Sequence, residues 1–371
     1  MDRILDVPPG SFELHRYPER ARSTLRAWDA ADAYALRWLA EDYSGAGSAA
    51  IINDGFGALA AGLAPTDPTV ITDTTSSRIG VEQNLARNGL HSARVFHEVS
   101  QLPEELDLVV LKVQKSLGGL EDQLYDLRPK LTAETVILGA GMVRQIHTST
   151  LTLFEQIIGP TTTSLAQQKA RLIHAQFDPD LEPAENPWPL TWRHDGLTVV
   201  NRGGVFSASS VDIGTRFLLE HLPEDLRGSV VDLGCGNGIL GTAVARPTDN
   251  VQVTFLDTSA RALDSARRTW AANHGDRPAR FEQADRMVNA VERQSVDLVL
   301  NNPPFHDERA VGDATAWDMF VDSHAVLRPG GELRVVANRQ LGHHARLRKI
   351  FGNCETVATN RKFVVLCAHR R

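Results

Sequence analysis

The fold of this chain is decided by one stretch, Val230-Val231-Asp232-Leu233-Gly234-Cys235-Gly236-Asn237-Gly238. Its apolar start predicts a buried strand, and residues 239–244 carry apolar side chains at helical spacing. The glycines between them allow a sharp turn and the close approach of a ligand to the backbone. No Gly-Lys-Ser/Thr follows, so this is not a phosphate-binding P-loop. The stretch therefore predicts a strand, a ligand-binding turn and a helix of an α/β domain.

Three further segments predict strands that each end at a polar residue, and two of them are apolar runs. Residues 251–256 lead to Asp257, residues 281–284 lead to Asp285, and residues 296–300 lead to Asn302. Asp257 follows Asp232 by 25 positions, close to the roughly 20 that place an acid at a ribose in nucleotide-binding crossovers. Because ligands bind at the carboxyl ends of strands in open α/β sheets, we expect these residues along one sheet edge.

The last of these strand ends, Asn302-Pro303-Pro304-Phe305, indicates a particular chemistry. The Asn side chain offers a carbonyl oxygen, and the two prolines have no N–H, so their carbonyls are free to accept. Two acceptors beside an aromatic ring fit an exocyclic amino group of a base that is being prepared as a nucleophile. In isolation, Pro-Pro after a strand is more often a rigid turn, so the motif gains its meaning from the strand ends before it.

With these motifs in this order, the chain resembles the class I S-adenosylmethionine-dependent methyltransferases. The resemblance implies that the turn at residues 234–238 cradles the methionine part of the cofactor. It also implies that Asp257 binds the ribose hydroxyls, that Asp285 lies beside adenine and that Asp232 helps to place the amino group. The full set that it assigns to the cofactor is Phe206, Asp212, Gly214, Thr215, Asp232, Gly234, Gly236, Asn237, Gly238, Asp257, Thr258, Ala284, Asp285 and Asn302.

A nicotinamide-dependent dehydrogenase is the main competing interpretation of a glycine turn followed by an acid. The spacing G-x-G-x-x-G is absent, since Gly234 and Gly236 are followed by Gly238 and then Gly241. A dehydrogenase also leaves residues 302–305 unexplained. The methyltransferase interpretation is therefore favoured.

The first half of the chain repeats this pattern in a degraded form. Residues 50–57 parallel the strand and glycine turn, residues 70–74 parallel 255–258, and residues 106–111 parallel 296–300. At the catalytic position, however, Lys112-Val113-Gln114-Lys115-Ser116 replaces Asn-Pro-Pro-Phe. This predicts a duplicated fold whose first member no longer transfers methyl groups. Residual cofactor binding through Asp73 is the less favoured alternative.

This order of parts resembles the two-domain bacterial ribosomal RNA guanine-N2 methyltransferases, from about Leu14 to Ala368. Residues 14–18, 27–32, 53–59 and 163–166 favour the large-subunit branch over the small-subunit branch, although Gln114 stands where that branch has proline. The resemblance implies two tandem Rossmann-like class I domains of α/β type, mostly parallel with an antiparallel last strand. Residues 1–185 would be a degenerate, non-catalytic domain for RNA recognition or structure, and residues 186–371 the catalytic domain.

The resemblance implies that Asn302, Pro303, Pro304 and Phe305 are catalytic and that a guanine N2 amino group in 23S ribosomal RNA receives the methyl group. The partner would be ribosomal RNA, naked or in a subunit or assembly particle. A 16S ribosomal RNA target is the nearest alternative. Protein-glutamine N5 and DNA adenine-N6 methyltransferases use similar acceptors, but the former usually have Tyr at the position of Phe305 and the latter need a basic DNA-reading domain. A non-enzymatic RNA-binding scaffold would predict decay of both halves.

Composition fits a two-domain cytoplasmic enzyme. The chain has 371 residues with 42% apolar content, enough for two cores. It has no apolar run near the ~20 residues of a membrane span, and its start lacks a secretion signal. The three cysteines are scattered without metal-ligand spacing, which suits a reducing compartment. We therefore predict no membrane association, no metal and a monomer, with Cys235 as a small residue in a tight turn rather than a redox centre.

The net charge of −7 argues against indiscriminate nucleic-acid binding, whose affinity comes from phosphate neutralisation. Residues 1–190 carry −9 and the rest +2.

The proline-rich segment 178–189 predicts a stiff connector between the halves. The later half has a basic stretch with Arg339, Arg346, Arg348, Lys349 and the histidines 343 and 344. This stretch is either a solvated helix face or an RNA contact.

The segment after the catalytic motif is expected to be irregular. Residues 307–315 predict a loop over the base pocket, followed by a helix at 318–327 that ends before Arg328-Pro329-Gly330-Gly331. His306 lies next to the motif, and an orienting or surface role is favoured over that of a proton acceptor.

Overall fold

The computed structural model describes residues 3–20, 24–45, 47–90, 93–304 and 309–371, with the backbone alone at 309–313. The chain forms two compact units, Met1–Trp188 and Pro189–Arg371. This division lies three residues beyond the predicted one and at the end of the proline-rich segment. Among the described residues, no helix has the length and apolar character needed to cross a membrane.

The first unit begins with a hairpin and continues with alternating helices and strands. Its elements are β1 Ile4–Val7, β2 Gly10–Glu13, α1 Ala30–Asp42, β3 Ala49–Ile52, α2 Ala58–Gly62, β4 Thr69–Ile71, α3 Thr75–Arg87, β5 Arg94–Phe96, β6 Leu108–Lys112, α4 Leu117–Leu127, β7 Val136–Met142, α5 Thr148–Ile157, β8 Thr161–Thr163 and β9 Ala170–Ala175.

The second unit has the same order of elements. These are β10 Leu190–His194, β11 Leu197–Asn201, α6 Ile213–Leu219, β12 Gly228–Leu233, α7 Ile239–Ala245, β13 Val251–Asp257, α8 Ala260–His274, β14 Arg280–Gln283, β15 Val296–Asn301, α9 Arg309–Val326, β16 Leu327–Asn338, α10 His343–Phe351, β17 Glu355–Thr359 and β18 Phe363–His369.

Both units contain a seven-stranded sheet with one topology. The strand orders are β5-β4-β3-β6-β7-β9-β8 and β14-β13-β12-β15-β16-β18-β17. In each sheet only the last strand in sequence, β9 or β18, runs antiparallel to its neighbours. The predicted α/β fold with mostly parallel sheets and an antiparallel last strand is confirmed.

Helices cover both faces of each sheet, because the central strands are apolar on both sides. In the second unit, Leu218, Val244 and Trp270 from α6, α7 and α8 belong to the core on one face. Phe320 of α9 and Leu347 of α10 belong to the core on the other. The carboxyl ends of β12 to β15 are thus left at one edge of the sheet, where the polar residues of the sequence motifs lie.

The duplication extends to individual hydrogen bonds. They join the first hairpin to the end of α3 and the second hairpin to the end of α8. Asn88 of the first unit accepts from the Glu13 amide at 2.9 Å and donates to the Glu13 carbonyl at 2.9 Å. Asn273 of the second unit makes the same two bonds to Thr198, at 2.9 and 2.7 Å. A side-chain amide satisfies both backbone groups of an edge strand in each case.

A second repeated contact fixes the start of the central strands. Asp107 accepts from the Ser48 amide at 2.6 Å, and Asp297 accepts from the Ser229 amide at 2.7 Å. Because each aspartate lies at the start of the strand that leads to the catalytic position, the two contacts provide a common reference point. Lys112 lies five positions after Asp107, as Asn302 does after Asp297.

One local prediction around the catalytic motif is wrong. The helix α9 begins at Arg309, so residues 309–315 are helical rather than a loop, and residues 307 and 308 of that predicted loop lie outside the described residues. The helix ends at Val326, before Arg328-Pro329-Gly330-Gly331 as predicted, and this sequence lies within β16. There the Gly330 amide donates to the Arg370 carbonyl at 2.7 Å and the Arg370 amide to Gly331 at 2.9 Å. Gly330 has a positive φ of +84°, and the pairing with β15 shifts register across residues 328–331. Pairing with the end of the chain thus holds an irregular segment within β16.

The proline-rich segment is fastened to the first unit along its length. The Arg128 guanidinium donates to the carbonyls of Asp178 and Leu181, at 2.9 and 2.6 Å. The Trp188 indole N–H donates to Glu121 at 2.9 Å. The segment is therefore packed, and its prolines do not act as a free spacer.

Candidate active site

The glycine turn after β12 combines tight packing with an open side. Gly234, Gly236 and Gly238 all have positive φ, at +68°, +53° and +76°. A Cβ on Gly238 would lie 2.9 Å from the backbone Cα of Ala266 in α8, whereas one on Gly236 would meet nothing within 4 Å. Gly238 is thus required for helix packing, and Gly236 faces a space that a ligand can enter.

Asp257 links the glycine turn to the neighbouring strand ends. Its carboxylate accepts from the Gly236 amide at 3.0 Å through Oδ2 and from the Ser259 amide at 3.0 Å through Oδ1. The Ala284 amide donates to the Asp257 carbonyl at 3.1 Å. Gln283 donates to the Thr258 carbonyl at 3.1 Å. Four predicted cofactor residues, Gly236, Asp257, Thr258 and Ala284, are therefore brought together at one edge.

Asp285 lies farther along this edge, after β14. Its Oδ1 accepts from Asn289 Nδ2 at 3.2 Å. This contact turns the chain into the short helix at Met287–Asn289. Asp285 thus stands two residues beyond the end of β14, at the strand end where the sequence predicted it.

Asp232 is a buried carboxylate in which one of the two oxygens has no hydrogen-bond donor in the described part of the chain. Its Oδ2 accepts from the Gly241 amide at 2.8 Å, while Oδ1 has no hydrogen-bond partner among the described residues. Burial raises the pKa of Asp232 to about 7, the Gly241 hydrogen bond opposes this, and the charge of Asp257 adds to it. A buried acceptor in this state favours a cationic or N–H-bearing ligand.

Asn302 is held with its side-chain oxygen free. Asp212 caps α6 by accepting from the amides of Gly214 at 2.8 Å and Thr215 at 3.2 Å. The Thr215 hydroxyl then accepts from Asn302 Nδ2 at 2.8 Å. Asn302 Oδ1 is buried without a hydrogen-bond partner in the described part of the chain. The Asn302 Nδ2 donor is therefore already bonded to Thr215, and the Oδ1 acceptor is left for a ligand.

The prolines that follow complete only part of the predicted motif. Pro303 is buried and Pro304 is exposed. Phe305 and His306 lie outside the described residues, so their predicted roles stay predictions. Phe206 is exposed, and its carbonyl accepts from Asn201 at 3.4 Å.

Two buried asparagines in the site were missed by the sequence analysis. Asn201 Oδ1 accepts from Asn237 Nδ2 at 3.0 Å and so ties the loop after β11 to the glycine turn. Asn301 Nδ2 donates to the Leu233 carbonyl at 2.9 Å and joins the ends of β15 and β12. Each is the last residue of its strand, and a polar residue closing an apolar run was the signal that could have identified them.

The equivalent position of the first unit contains an ion pair. Asp29 caps α1 by accepting from the amides of Ala31 and Asp32, as Asp212 caps α6. The Lys112 ammonium lies 2.8 Å from Asp29 and 2.6 Å from Asp32. Asp32 and Lys112 thus occupy the places of Thr215 and Asn302. Because an ammonium has donors but no acceptor, this site has lost the acceptor that an amine would need.

One set of potential metal ligands lies elsewhere in the second unit. Ligand atoms of Glu332, Cys367 and His369 are within 4.8 Å of one another. Glu332 already accepts from Arg334 Nε at 2.5 Å, and burial raises the pKa of Cys367 to about 12. A protonated thiol and an occupied carboxylate make a poor site. The absence of a metal cofactor stays a prediction.

Two family models match the chain, the RLMG N-terminal domain over residues 2–179 and the methyltransferase small domain over residues 196–367. The chain is similar to proteins called ribosomal RNA large subunit methyltransferase G. It is 49% identical to that of Streptomyces avermitilis over 100% of both chains. Identity is 50% to that of Streptomyces coelicolor over 98% of this chain and 99% of the other. It is 43% to that of Aeromonas salmonicida over 100% of both.

A solved structure shares the fold over almost the whole length. It is the 16S ribosomal RNA N2 guanine methyltransferase of T. thermophilus in complex with AdoMet and guanosine, with a TM-score of 0.76 and 22% identity, covering 99% of this chain and 97% of that chain. The class I methyltransferase fold predicted from the glycine turn and the strand ends is confirmed, and so is the large-subunit branch. This chain belongs to the ribosomal RNA large subunit methyltransferase G family.

Proposed function

We propose that this protein transfers a methyl group from S-adenosylmethionine to the N2 amino group of a guanine in 23S ribosomal RNA, and that the second unit carries the reaction. The relatives are named for methylation of large-subunit RNA, and the protein with the same fold is named for guanine N2. One observation of this chain carries the proposal. Asn302 presents a buried, unpaired oxygen acceptor at the carboxyl edge of the sheet.

The residues around the glycine turn fit S-adenosylmethionine, which supplies an electrophilic methyl group on a sulfonium. Gly236 leaves an open side for the methionine part. The unpaired Oδ1 of Asp232 suits the cationic amino group. The Asp257 carboxylate, which anchors the Gly236 and Ser259 amides at the same edge, is proposed to accept from the ribose hydroxyls. The other proposed cofactor residues are Phe206, Asp212, Gly214, Gly234, Asn237, Gly238, Thr258, Ala284 and Asp285. Thr215 and Asn302, which the resemblance also assigns to the cofactor, are proposed to act mainly on the amine.

The acceptor at Asn302 addresses the main chemical difficulty of the reaction. The lone pair of guanine N2 is conjugated with the ring, so the amine is a poor nucleophile. Hydrogen bonds donated by N2 to Asn302 Oδ1 and to a carbonyl of the Pro303-Pro304 turn draw the nitrogen toward tetrahedral geometry and free its lone pair. Phe305 stacks on the base in this proposal. Positioning contributes most of the rate, and no strong base is needed.

The target guanine must leave its helix to reach this edge. An amino group within a base pair is blocked by its partner, so the enzyme acts on a single-stranded or flipped-out base. The first unit, with Lys112 and Asp32 in place of the acceptors, is proposed to be non-catalytic. Its work is RNA recognition or structural support.

The function is tested with purified protein, labelled S-adenosylmethionine and four separate substrates: naked ribosomal RNA, assembled large subunits, DNA and a release factor. We expect label in 23S RNA and N2-methylguanosine on nucleoside mass analysis. Ribosomal RNA from cells without the protein should lack one such nucleoside. Label in 16S RNA, in DNA or in the release factor, with none in 23S RNA, would replace this function by the corresponding alternative.

A further inference from the structure

Three cations gather at the carboxyl edge of the second sheet. Arg339 follows the end of β16, and Arg361 and Lys362 form the turn between β17 and β18. The Arg339 amide donates to the Lys362 carbonyl at 3.1 Å, and its guanidinium donates to the Asn360 carbonyl at 3.3 Å. All three side chains are exposed. We call Arg339, Arg361 and Lys362 the edge cluster.

The charge of the edge cluster is not compensated. Residues 338–362 contain six Lys and Arg and a single acid, Glu355, in a chain of net charge −7. Within the described ranges, no carboxylate forms an ion pair with any member of the cluster. Other arginines of this unit are paired, at 2.9 Å for Arg268 to Asp264, 2.9 Å for Arg280 to Glu282 and 3.0 Å for Arg328 to Asp297. An exposed group of three cations without a carboxylate partner in the described ranges favours a polyanion.

The edge cluster lies beside the proposed site of methyl transfer. β15 and β16 are parallel neighbours, with Asn301 opposite Val335, so both end at the same edge. Neighbouring strands are only about 4.8 Å apart. A cavity of about 320 Å³ opens there, lined by Asn338, Arg339, His344 and Thr359 among others. An RNA strand that places its target base at Asn302 must therefore continue along this edge of the sheet or close to it.

We propose that the edge cluster binds backbone phosphates of the RNA strand that flanks the target guanine. This inference rests on the proposed function. Arg and Lys contacts to phosphate oxygens fix register and orientation without reading sequence. Such contacts are needed because residues 1–190 carry a net charge of −9 and the rest only +2, so the chain as a whole does not attract RNA. The basic stretch is thus an RNA contact at its start, at Arg339, rather than only a solvated helix face.

The test compares two triple variants that each remove three positive charges from the second unit. The first is Arg339→Ala, Arg361→Ala and Lys362→Ala. The matched control is Arg268→Ala, Arg280→Ala and Arg328→Ala, whose side chains are paired with acids away from this edge. The Michaelis constant for a 23S RNA fragment, the turnover number and the affinity for S-adenosylmethionine are measured between about 50 and 200 mM salt.

We expect the edge variant to raise the KM for RNA by roughly tenfold or more, with turnover and cofactor affinity nearly unchanged. The salt slope of log KM should fall by about 2, since each phosphate contact on a single strand contributes about 0.7. The control should change both quantities much less. A third variant, Arg339→Lys with Arg361→Lys, keeps the charge and should restore most of the affinity if phosphates are the ligand.

The two proposals fail in different ways. If the wild-type protein methylates no RNA, the proposed function is wrong. If it does, and the edge variant behaves like the control, the edge cluster is not a phosphate site. A defect seen with assembled subunits but not with naked RNA would assign the cluster to a ribosomal protein and overturn the inference. A thermal melting point equal to that of the wild type excludes misfolding as the cause of any loss.

Discussion

At the scale of single residues, the Thr215 hydroxyl decides which end of the Asn302 amide faces the substrate. Thr215→Val removes this acceptor with little change of volume, so the Asn302 amide loses the bond that orients it. We expect turnover to fall roughly 10²-fold, the size of effect that misplacement of a reacting group produces. Cofactor affinity should stay close to wild type in isothermal titration.

Thr215→Ser is the matched control, since it keeps the hydroxyl, and it should retain most of the turnover. Thr215 was assigned to the cofactor by the sequence resemblance. A Thr215→Val protein with weakened cofactor binding and normal turnover would support that assignment and contradict the orienting role.

A second prediction separates the catalytic acceptor from the cofactor site. Asn302→Ala should abolish transfer and leave cofactor binding nearly intact, because the residue acts on the amine. Asp257→Ala should weaken cofactor binding first, since it removes both the proposed ribose contact and the anchor of the Gly236 amide. Asp73→Ala, one position beyond Thr72, the counterpart of Asp257 in the first unit, should leave cofactor binding unchanged. Equal losses of cofactor affinity in the Asn302 and Asp257 variants would undo this division of roles.

Residues of this kind were predictable where a polar side chain closes an apolar run. Asn302, Asp257 and Asp285 were found because strand ends of a parallel sheet share one edge. The pairing of Asn201 with Asn237 joins residues 36 positions apart, and nothing local in the sequence signals it. The orienting bond from Asn302 to Thr215 spans 87 positions and was equally out of reach, although both residues were named.

At the scale of the elements, the glycines of the turn have two different roles: Gly238 packs against α8, and Gly236 faces the space proposed for the ligand. Gly238→Ala places a Cβ 2.9 Å from the backbone Cα of Ala266. It also puts an alanine at a φ of +76°, which residues with a side chain rarely adopt. We expect the free energy of unfolding to fall by about 2–5 kcal/mol, the sum of about 1–2 kcal/mol for left-handed backbone and about 1–3 kcal/mol for overpacking, measured by urea denaturation.

Gly236→Ala is the matched comparison, because it has positive φ but open space before it. Its loss of stability should be smaller, near the 1–2 kcal/mol that left-handed backbone costs, and its main defect should be in cofactor affinity. If both variants lost stability alone, the open side of Gly236 would have no binding role.

Strands and helices were predictable from apolar periodicity, and the exceptions have tertiary causes. β16 continues through Arg328-Pro329-Gly330-Gly331 as an irregular segment, because the chain end pairs with it. The Pro-Gly-Gly sequence predicted the end of the preceding helix, but not a strand that begins before it. The start of α9 at Arg309 was missed, because the residues before it carry no apolar repeat and no recognisable cap. Local signals thus identified the elements, and partners distant in sequence set their bounds.

At the scale of the whole molecule, one fold occurs twice, with a hydrogen-bond acceptor at the catalytic position of the second unit and a donor at the equivalent position of the first. The second unit presents an unpaired oxygen at Asn302, and the first unit contains an ammonium clamped between two carboxylates. The shared strand order and the repeated hydrogen bonds show that the scaffold has been kept. Duplication was predictable from the parallel motifs. The ion pair was not, because Asp32 and Lys112 are 80 positions apart in sequence.

This ion pair predicts a pH-dependent stability of the first unit. Lys112→Met leaves Asp32 buried without its cation, and breaking such a pair costs roughly 3–5 kcal/mol. Burial already raises the pKa of Asp32 to about 6 despite Lys112, and loss of the ammonium raises that pKa further. An acid whose folded-state pKa lies above its unfolded value is most favourable at low pH. Its contribution to stability is lost as the pH rises through that range.

The difference in unfolding free energy between Lys112→Met and wild type should therefore be large at pH 8 and clearly smaller at pH 5, as measured by urea denaturation at both values. The double variant Lys112→Met with Asp32→Leu should recover stability at pH 8, because apolar residues of similar volume often replace a buried ion pair without loss. Methyl transfer should survive in this double variant if the pair has only a structural role. A double variant that folds normally but loses transfer would instead assign Lys112 and Asp32 a part in the reaction.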